Sequence, residues 1–233
     1  MKIKLLCLVV FISTLSCETK NPDLTITGEI SGLKKGKLYL QKVKDSAIIN
    51  IDSLELYNTN QFQFDVQLNH PEVMYLQLEK DTLERADNFI AFFADKGHLN
   101  VNAELDAFMY AKIKADYKNQ QQFQEYSQNI KRFGDQKLEL IKAELEARKA
   151  NNQNRLDSIN QAYNKMSTRR YLYAINFAMN HPDLEVSPYV ILNQAQYINT
   201  KYLDSVYQSF DKSIQKSYYG QELNNLVTQR HSN

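Results

Sequence analysis

Residues 24–43 read LTITGEISGLKKGKLYLQKV, and the fold turns on how their apolar positions are spaced. Leu24, Ile26, Gly28 and Ile30 alternate with polar residues, and Leu38 and Leu40 resume the same period after the turn signal Gly32 to Gly36. A period of two belongs to a strand with one buried face, so this stretch predicts two strands joined by a turn. The pattern continues through Ile49 and Ile51, Leu54 and Leu56, Phe62 to Leu68, Met74 to Leu78, Phe89 to Phe93, and Leu99 to Ala103. Turn residues separate the runs at Asn58 to Asn60, Asn69 to Pro71 and Asp95 to Gly97. About seven short strands at this spacing predict an antiparallel β-sandwich or barrel over residues 24–106.

From Tyr117 the period becomes helical. Phe123, Tyr126, Ile130 and Phe133 step by three and four, as do Leu138, Ile141 and Leu145, and then Leu156, Ile159, Tyr163 and Met166. These stripes predict long amphipathic helices broken near Asn151 to Asn154 and paired as a hairpin or bundle. Pro182 ends one helix, Ser187 is the expected N-cap of the next and Pro188 its first-turn residue. Short helices are expected over Tyr189 to Gln196, Lys201 to Phe210 and Ser217 to Gln229. Strands followed by helices, with a helical region over 107–233, make the class α+β.

The chain has 233 residues, with 28 basic against 27 acidic. Removing Lys2 and Lys4 with a leader leaves 26 against 27. No basic footprint for nucleic acid is present, since Lys34 and Lys35, and Arg169 and Arg170, are short pairs among polar residues. Both cysteines, Cys7 and Cys17, fall in the first seventeen residues, so cleavage of a leader leaves at most one. One cysteine makes neither an intrachain disulfide nor a C-x-x-C redox pair nor a thiolate metal site.

Lys2 and Lys4 precede an apolar run from Leu5 to Leu15, too short to cross a bilayer core that needs about 20 residues. Then come Thr14-Leu15-Ser16-Cys17 and the polar stretch Glu18 to Asp23. The arrangement resembles a bacterial lipoprotein leader, in which a small residue precedes a Cys that receives diacylglycerol. Ser16 and Cys17 match it, while Thr14 stands where Leu is usual. The resemblance implies a signal peptide over 1–16, a lipidated Cys17 and a short tether over 17–23. Two or three acyl chains suffice to hold a protein at a membrane.

With these residues in view, the chain resembles the N-terminal part of Bacteroidota lipoproteins that carry a DUF4369 domain ahead of a thioredoxin-like domain. The carrying stretches are Leu24 to Val43, FQFDVQL (62–68), PEVMYLQLEKD (71–81), FFADKGHLNVNAELD (92–106), HPDLEVSPYV (181–190) and QKSYYGQEL (215–223). The redoxin domain of the longer relatives, with its C-x-x-C pair, has no counterpart before Asn233. The resemblance therefore implies the accessory half, with no oxidoreductase activity. It also implies the periplasmic face of the outer membrane, because Glu18 alone follows Cys17 where surface-export signals of the family show several acids.

No nucleophile elbow, P-loop or G-x-G-x-x-G occurs. His70, His98, His181 and His231 have no partner at i, i+4, and His181 with Asp183 is only half of a metal site. Tyr163, Tyr171, Tyr173, Tyr189, Tyr197, Tyr202, Tyr207, Tyr218 and Tyr219 gather in the helical part, either to pack the helices or to meet a partner or sugar. Asp-Ser/Thr-aliphatic recurs at Ser46, Ser53, Thr82, Ser158 and Ser205. It resembles the O-glycosylation acceptor of Bacteroidota periplasmic proteins; capping explains 158 and 205, and for Ser46, Ser53 and Thr82 both readings stand. The expectation is a non-catalytic extracytoplasmic lipoprotein, a binding or interaction module with no catalytic residue, cofactor, metal or nucleic acid. Its partners are the membrane and either a redoxin-like protein in trans, or a peptide or glycan in a Tyr-lined groove between sandwich and helices. An enzyme of unidentified class is the remaining alternative.

Overall fold

The computed structural model describes residues 21–79 and 88–232. The leader over 1–16, Cys17 and Thr82 lie outside these residues. Eight strands form two four-stranded sheets. They are β1 (Leu24–Ser31), β2 (Lys35–Lys44), β3 (Ala47–Tyr57), β4 (Gln61–Val66), β5 (Glu72–Glu79), β6 (Phe89–Ala94), β7 (Gly97–Glu104) and β8 (Lys112–Ala115). One sheet has the order β4-β1-β7-β8 and the other β3-β2-β5-β6. The α+β sandwich expected from the period-two pattern is the fold observed.

One pairing departs from the all-antiparallel expectation. β1 and β7 run parallel, from Leu24 opposite Gly97 to Ser31 opposite Glu104. Alternation tells which face a residue occupies and is silent on strand direction. Here both strands enter the sheet from the same end, where the Gly97 N–H donates to the Asp23 carbonyl at 2.9 Å. Gly28 permits the pair: a Cβ there would sit 2.2 Å from the Val101 carbonyl oxygen and 2.4 Å from Phe62 Cζ. β8 lies past residue 106 and pairs antiparallel with β7, so strands extend to Ala115.

The inner faces bury Leu24, Ile26, Leu38, Leu40, Leu76, Leu78, Phe92, Leu99 and Val101 in one core. Each such side chain contributes about 1.5–3 kcal/mol by leaving water. The helices cover the opposite face of the second sheet at its β5–β6 side. Val73 and Phe93 pack with Tyr126, Ala174, Phe177, Leu184, Val186 and Val190 in a second core.

The helices are α1 (Lys118–Lys149), α2 (Gln153–Asn180), α3 (Val186–Gln194), α4 (Thr200–Ser209), α5 (Lys212–Gln215) and α6 (Tyr218–Ser232). Asn152 caps α2 by accepting the Arg155 N–H at 3.0 Å, as the expected break at 151–154 requires. Asn199 caps α4 through the Lys201 N–H. α3 starts before Ser187, whose hydroxyl instead donates back to the His181 carbonyl at 2.6 Å. The cap is remote in sequence: Asn119 Oδ1 on α1 accepts the Val186 N–H at 3.0 Å. On α1, Leu138, Ile141 and Leu145 are 58%, 46% and 55% exposed. A two-helix hairpin buries one stripe per helix, and here it is Tyr126 and Ala147 against Ile159, Met166 and Ala174 that go under. α3 to α6 close a third core that includes Ile191, Leu203, Val206, Leu223 and Val227.

Sandwich and helices meet at Phe93. Its N–H donates to Gln120 Oε1 at 2.7 Å, and its carbonyl accepts the Tyr117 hydroxyl at 3.0 Å. β6 is an edge strand, so these are backbone groups that a neighbouring strand would otherwise take. Replacing Gln120 by Ala leaves a buried N–H unpaired, a loss of about 1–3 kcal/mol. Urea denaturation of Gln120→Ala should show that loss, with faster hydrogen exchange at the Phe93 amide. An unchanged midpoint would mean that the helices are held elsewhere.

Candidate functional site

A cleft opens where the tip of the β2–β3 hairpin parts from β5. β2 pairs with β5 only as far as Lys42 opposite Met74, but pairs with β3 on to Lys44 opposite Ala47. The register shifts between Leu40 and Gln41, leaving Ile51 unpaired as a bulge that bends the hairpin. Asp45 and Ser46 at the tip have φ of 49° and 65°. Two successive left-handed residues make the tight hairpin turn in which Asp is favoured.

The cleft has a volume of about 720 Å³. Strand and turn residues Lys42, Asn69, His70, Glu72 and Tyr75 line one wall, with Tyr189 and Asn193 of α3 and Tyr218 and Tyr219 of α6 opposite. Tyr219 serves two ends. Its ring packs against Phe93 and Tyr189, at 6.2 and 5.2 Å between centroids. Its hydroxyl lies 3.4 Å from the Val73 N–H, a donor left over where β2 has turned away. Tyr218 stacks on His70 at 4.0 Å and 10° between planes. His70 Nδ1 lies 3.1 Å from the Pro71 carbonyl oxygen, which favours the tautomer with the proton on Nδ1.

The charged groups are paired inside the wall. Lys42 Nζ donates to Glu72 Oε1 at 2.8 Å, with the Glu72 side chain only 8% exposed. Removing either partner would leave a desolvated charge. Glu185, just before α3, has its carboxyl raised chiefly by burial; the Ser217 hydroxyl and His70 act against the rise and the Asp95 charge adds to it.

Of the candidate residues read from the sequence, the cleft gathers Ser46, Tyr189, Tyr218 and Tyr219. Ser53 sits elsewhere, exposed on β3 opposite Tyr39, with its N–H donated to the Asp52 carboxylate at 2.7 Å. Cys17 and Thr82 fall outside the described residues. His181 ends α2, its Nδ1 2.8 Å from the Phe177 carbonyl. Among the described residues no group of three or more His, Cys, Asp or Glu is placed to hold a metal ion. In the sequence His70 is only a turn residue without a ligand partner and Tyr75 is not singled out, because only register reveals which way a strand or turn side chain faces.

The strands, the joint at Phe93 and the first turn of α1 form the part with a counterpart elsewhere. Residues 24–122 match the family model of DUF4369, a domain of unknown function. Comparison with curated proteins and with solved structures returned no match. The DUF4369 segment contains Tyr117, Asn119 and Gln120, so it carries the staples that fix the helices. It supplies one wall of the cleft, while Tyr189, Asn193, Tyr218 and Tyr219 come from beyond it.

Burial raises the phenols of Tyr75 and Tyr219, and pushes Tyr189 up to about 12. An unfolded Tyr titrates near 10, so between these values the unfolded chain releases protons that the folded one keeps. The tyrosine contribution to stability should be level below pH about 10 and fall as pH rises from there through about 12. Urea midpoints with phenolate absorbance followed in parallel test this. Free titration of every tyrosine before unfolding would contradict the packing described.

Proposed function

We propose that the chain is a lipid-anchored, non-catalytic binding module of the cell envelope, held through Cys17 at the periplasmic face of the outer membrane, with the tyrosine-lined cleft as its ligand site. The cleft carries this reading. It lies between two parts of the fold, is walled by aromatic rings and planar polar groups, and its volume falls in the range of about 300–1,000 Å³ typical of ligand sites.

Binding is favoured over catalysis by the state of the ionisable groups. Lys42 and Glu72 neutralise each other, and His70 is stacked under Tyr218 with Nδ1 turned to a backbone carbonyl. With its proton on Nδ1, His70 keeps Nε2 as a free nitrogen, but among the described residues no hydroxyl or carboxyl is hydrogen-bonded to it as a general base would need. No helix among the described residues is long and apolar enough to cross a membrane. The lipid anchor rests on Ser16 and Cys17 and on the polar stretch that follows them.

The path from Cys17 also suits the cleft. Asn21 and Asp23 are already fixed to the sandwich, through Gln67 Nε2 to the Asn21 carbonyl at 2.8 Å and the Leu68 N–H to the Asp23 carboxylate at 3.1 Å. Asn69 and His70, which follow Leu68 directly, line the cleft.

Two measurements test the two halves of the proposal. Metabolic labelling with a palmitate analogue should mark the wild type in the membrane fraction and leave Cys17→Ala unlabelled and released. Absence of label on the wild type removes the anchor. For the cleft, ring-labelled tyrosines should be followed by NMR against solubilised envelope polysaccharide and against a peptide digest of envelope proteins. Tyr75, Tyr189, Tyr218 and Tyr219 should shift with one of the two, while Tyr57 and Tyr110, at 69% and 63% exposure outside the cleft, stay still. No movement of the four with either probe removes the cleft as a ligand site.

A further inference from the structure

We infer that the cleft takes an uncharged saccharide, with a sugar ring stacked on Tyr218. The inference rests on the cleft being a ligand site and adds the chemical class of the ligand.

Three features select that class. The first is a rigid aromatic platform. Tyr218 is 46% exposed, yet His70 is flush against one ring face and Tyr219 meets it edge-on at 5.1 Å and 70°. Ring surface is still open beyond these two contacts, and Tyr218 lines the cleft. A pyranose presents a flat patch of C–H groups that packs on such a face, and a platform already held in place loses little entropy when it does.

The second is the ring of groups around the platform. Asn69, Asn193, Ser46 and Glu72 all line the cleft. Asn193 Nδ2 is engaged by the Tyr189 carbonyl at 3.0 Å, which orients the amide and leaves its oxygen as an acceptor. Planar donors and acceptors beside an aromatic face match sugar hydroxyls, which act as both.

The third is charge. The cleft carries Lys42 and Lys44 against Asp45 and Glu72, two of each sign. A net-charged ligand would gain nothing from it, and a polyanion would meet two carboxylates.

A peptide fits less well. Strand addition needs an open sheet edge, and β2 and β5, which floor the cleft, are the two inner strands of their sheet. The stray Val73 N–H is already met by the Tyr219 hydroxyl. Tyr75, Tyr189 and Tyr219 pack into the core between sheet and helices, so their rings do not part to take a side-chain anchor.

The test is affinity electrophoresis of the full mature chain in native gels containing neutral polysaccharides (α-mannan, galactomannan, xyloglucan, dextran) or acidic ones (alginate, polygalacturonate). The NMR titration with the peptide digest runs alongside. Retardation is expected in at least one neutral gel, unchanged by high salt. Tyr218→Ala should weaken it by about tenfold or more, Tyr218→Phe should keep it, and His70→Ala, which frees the platform, should weaken it severalfold. Circular dichroism confirms that the variants fold. Retardation only in acidic gels and abolished by salt, retardation indifferent to Tyr218→Ala, or none in any neutral gel overturns the inference. If the peptide digest alone moves the four cleft tyrosines, the ligand site stands and its saccharide character falls; if nothing moves them, both fall.

Discussion

The structure depends on how one edge strand is closed. β6 ends its sheet, and at Phe93 both outward backbone groups are taken by side chains of the segment that follows the sandwich, Gln120 for the N–H and Tyr117 for the carbonyl. The ring of the same residue is fully buried among Phe123, Tyr189 and Tyr219. An open edge would invite another strand. Closing it with side chains from α1 instead fixes where the helices stand. Asn119, beside Gln120, then reaches from Asp95 to the Val186 N–H and sets the start of α3. From that point the positions of Tyr189 and Tyr219 follow, so the helical wall of the cleft is a consequence of how the sheet is terminated.

The opposite wall follows from strand length. β2 and β3 run past the end of β5, and the bulge at Ile51 bends their shared tip. What the departing strand leaves behind is an unpaired Val73 N–H and a Lys42–Glu72 pair at the point of separation. A buried pair of this kind adds little net stability, because desolvation offsets most of the attraction. Its effect is geometric: with neither group free to turn away, the wall keeps one shape. The hydroxyl of Tyr219 meets the amide, so the gap stays polar but satisfied.

The sequence showed the sandwich because alternation is dense from Leu24 to Ala103, and the helix break because Asn151 to Asn154 interrupts a clear stripe. It did not show that β1 and β7 are parallel, since faces alternate in the same way in either direction, nor β8, whose KIKA is too short to register a period. Ser187 looked like a cap because a helix start was sought in local residues, whereas the donor at Val186 is met by Asn119, 67 residues earlier. Leu138, Ile141 and Leu145 looked buried because their spacing is right for a buried face, but only packing decides which of two adjacent stripes on α1 goes under. The cleft was half legible. Tyr189, Tyr218 and Tyr219 were legible as members of the tyrosine cluster in the helical part, while His70 and Tyr75 gain their meaning only from register and from the contact that α6 makes with the sandwich.

The neutral balance of the cleft makes physical sense at the place proposed for the protein. From Cys17 to Asn21, which Gln67 holds to the sheet, four Cα-to-Cα steps span at most about 14 Å. A lipid on Cys17 would therefore keep the end of the sandwich bearing Asp23, Leu68 and His70 close to the bilayer surface, where anionic headgroups attract any uncompensated Lys or Arg at about 1 kcal/mol each. A cleft with a basic excess would be filled by headgroups before another ligand arrived. One in which Glu72 holds Lys42 and Asp45 adjoins Lys44 gives headgroups no such hold. Stacking and hydroxyl recognition then remain to discriminate ligands, and neither is screened by salt nor matched by a phosphate.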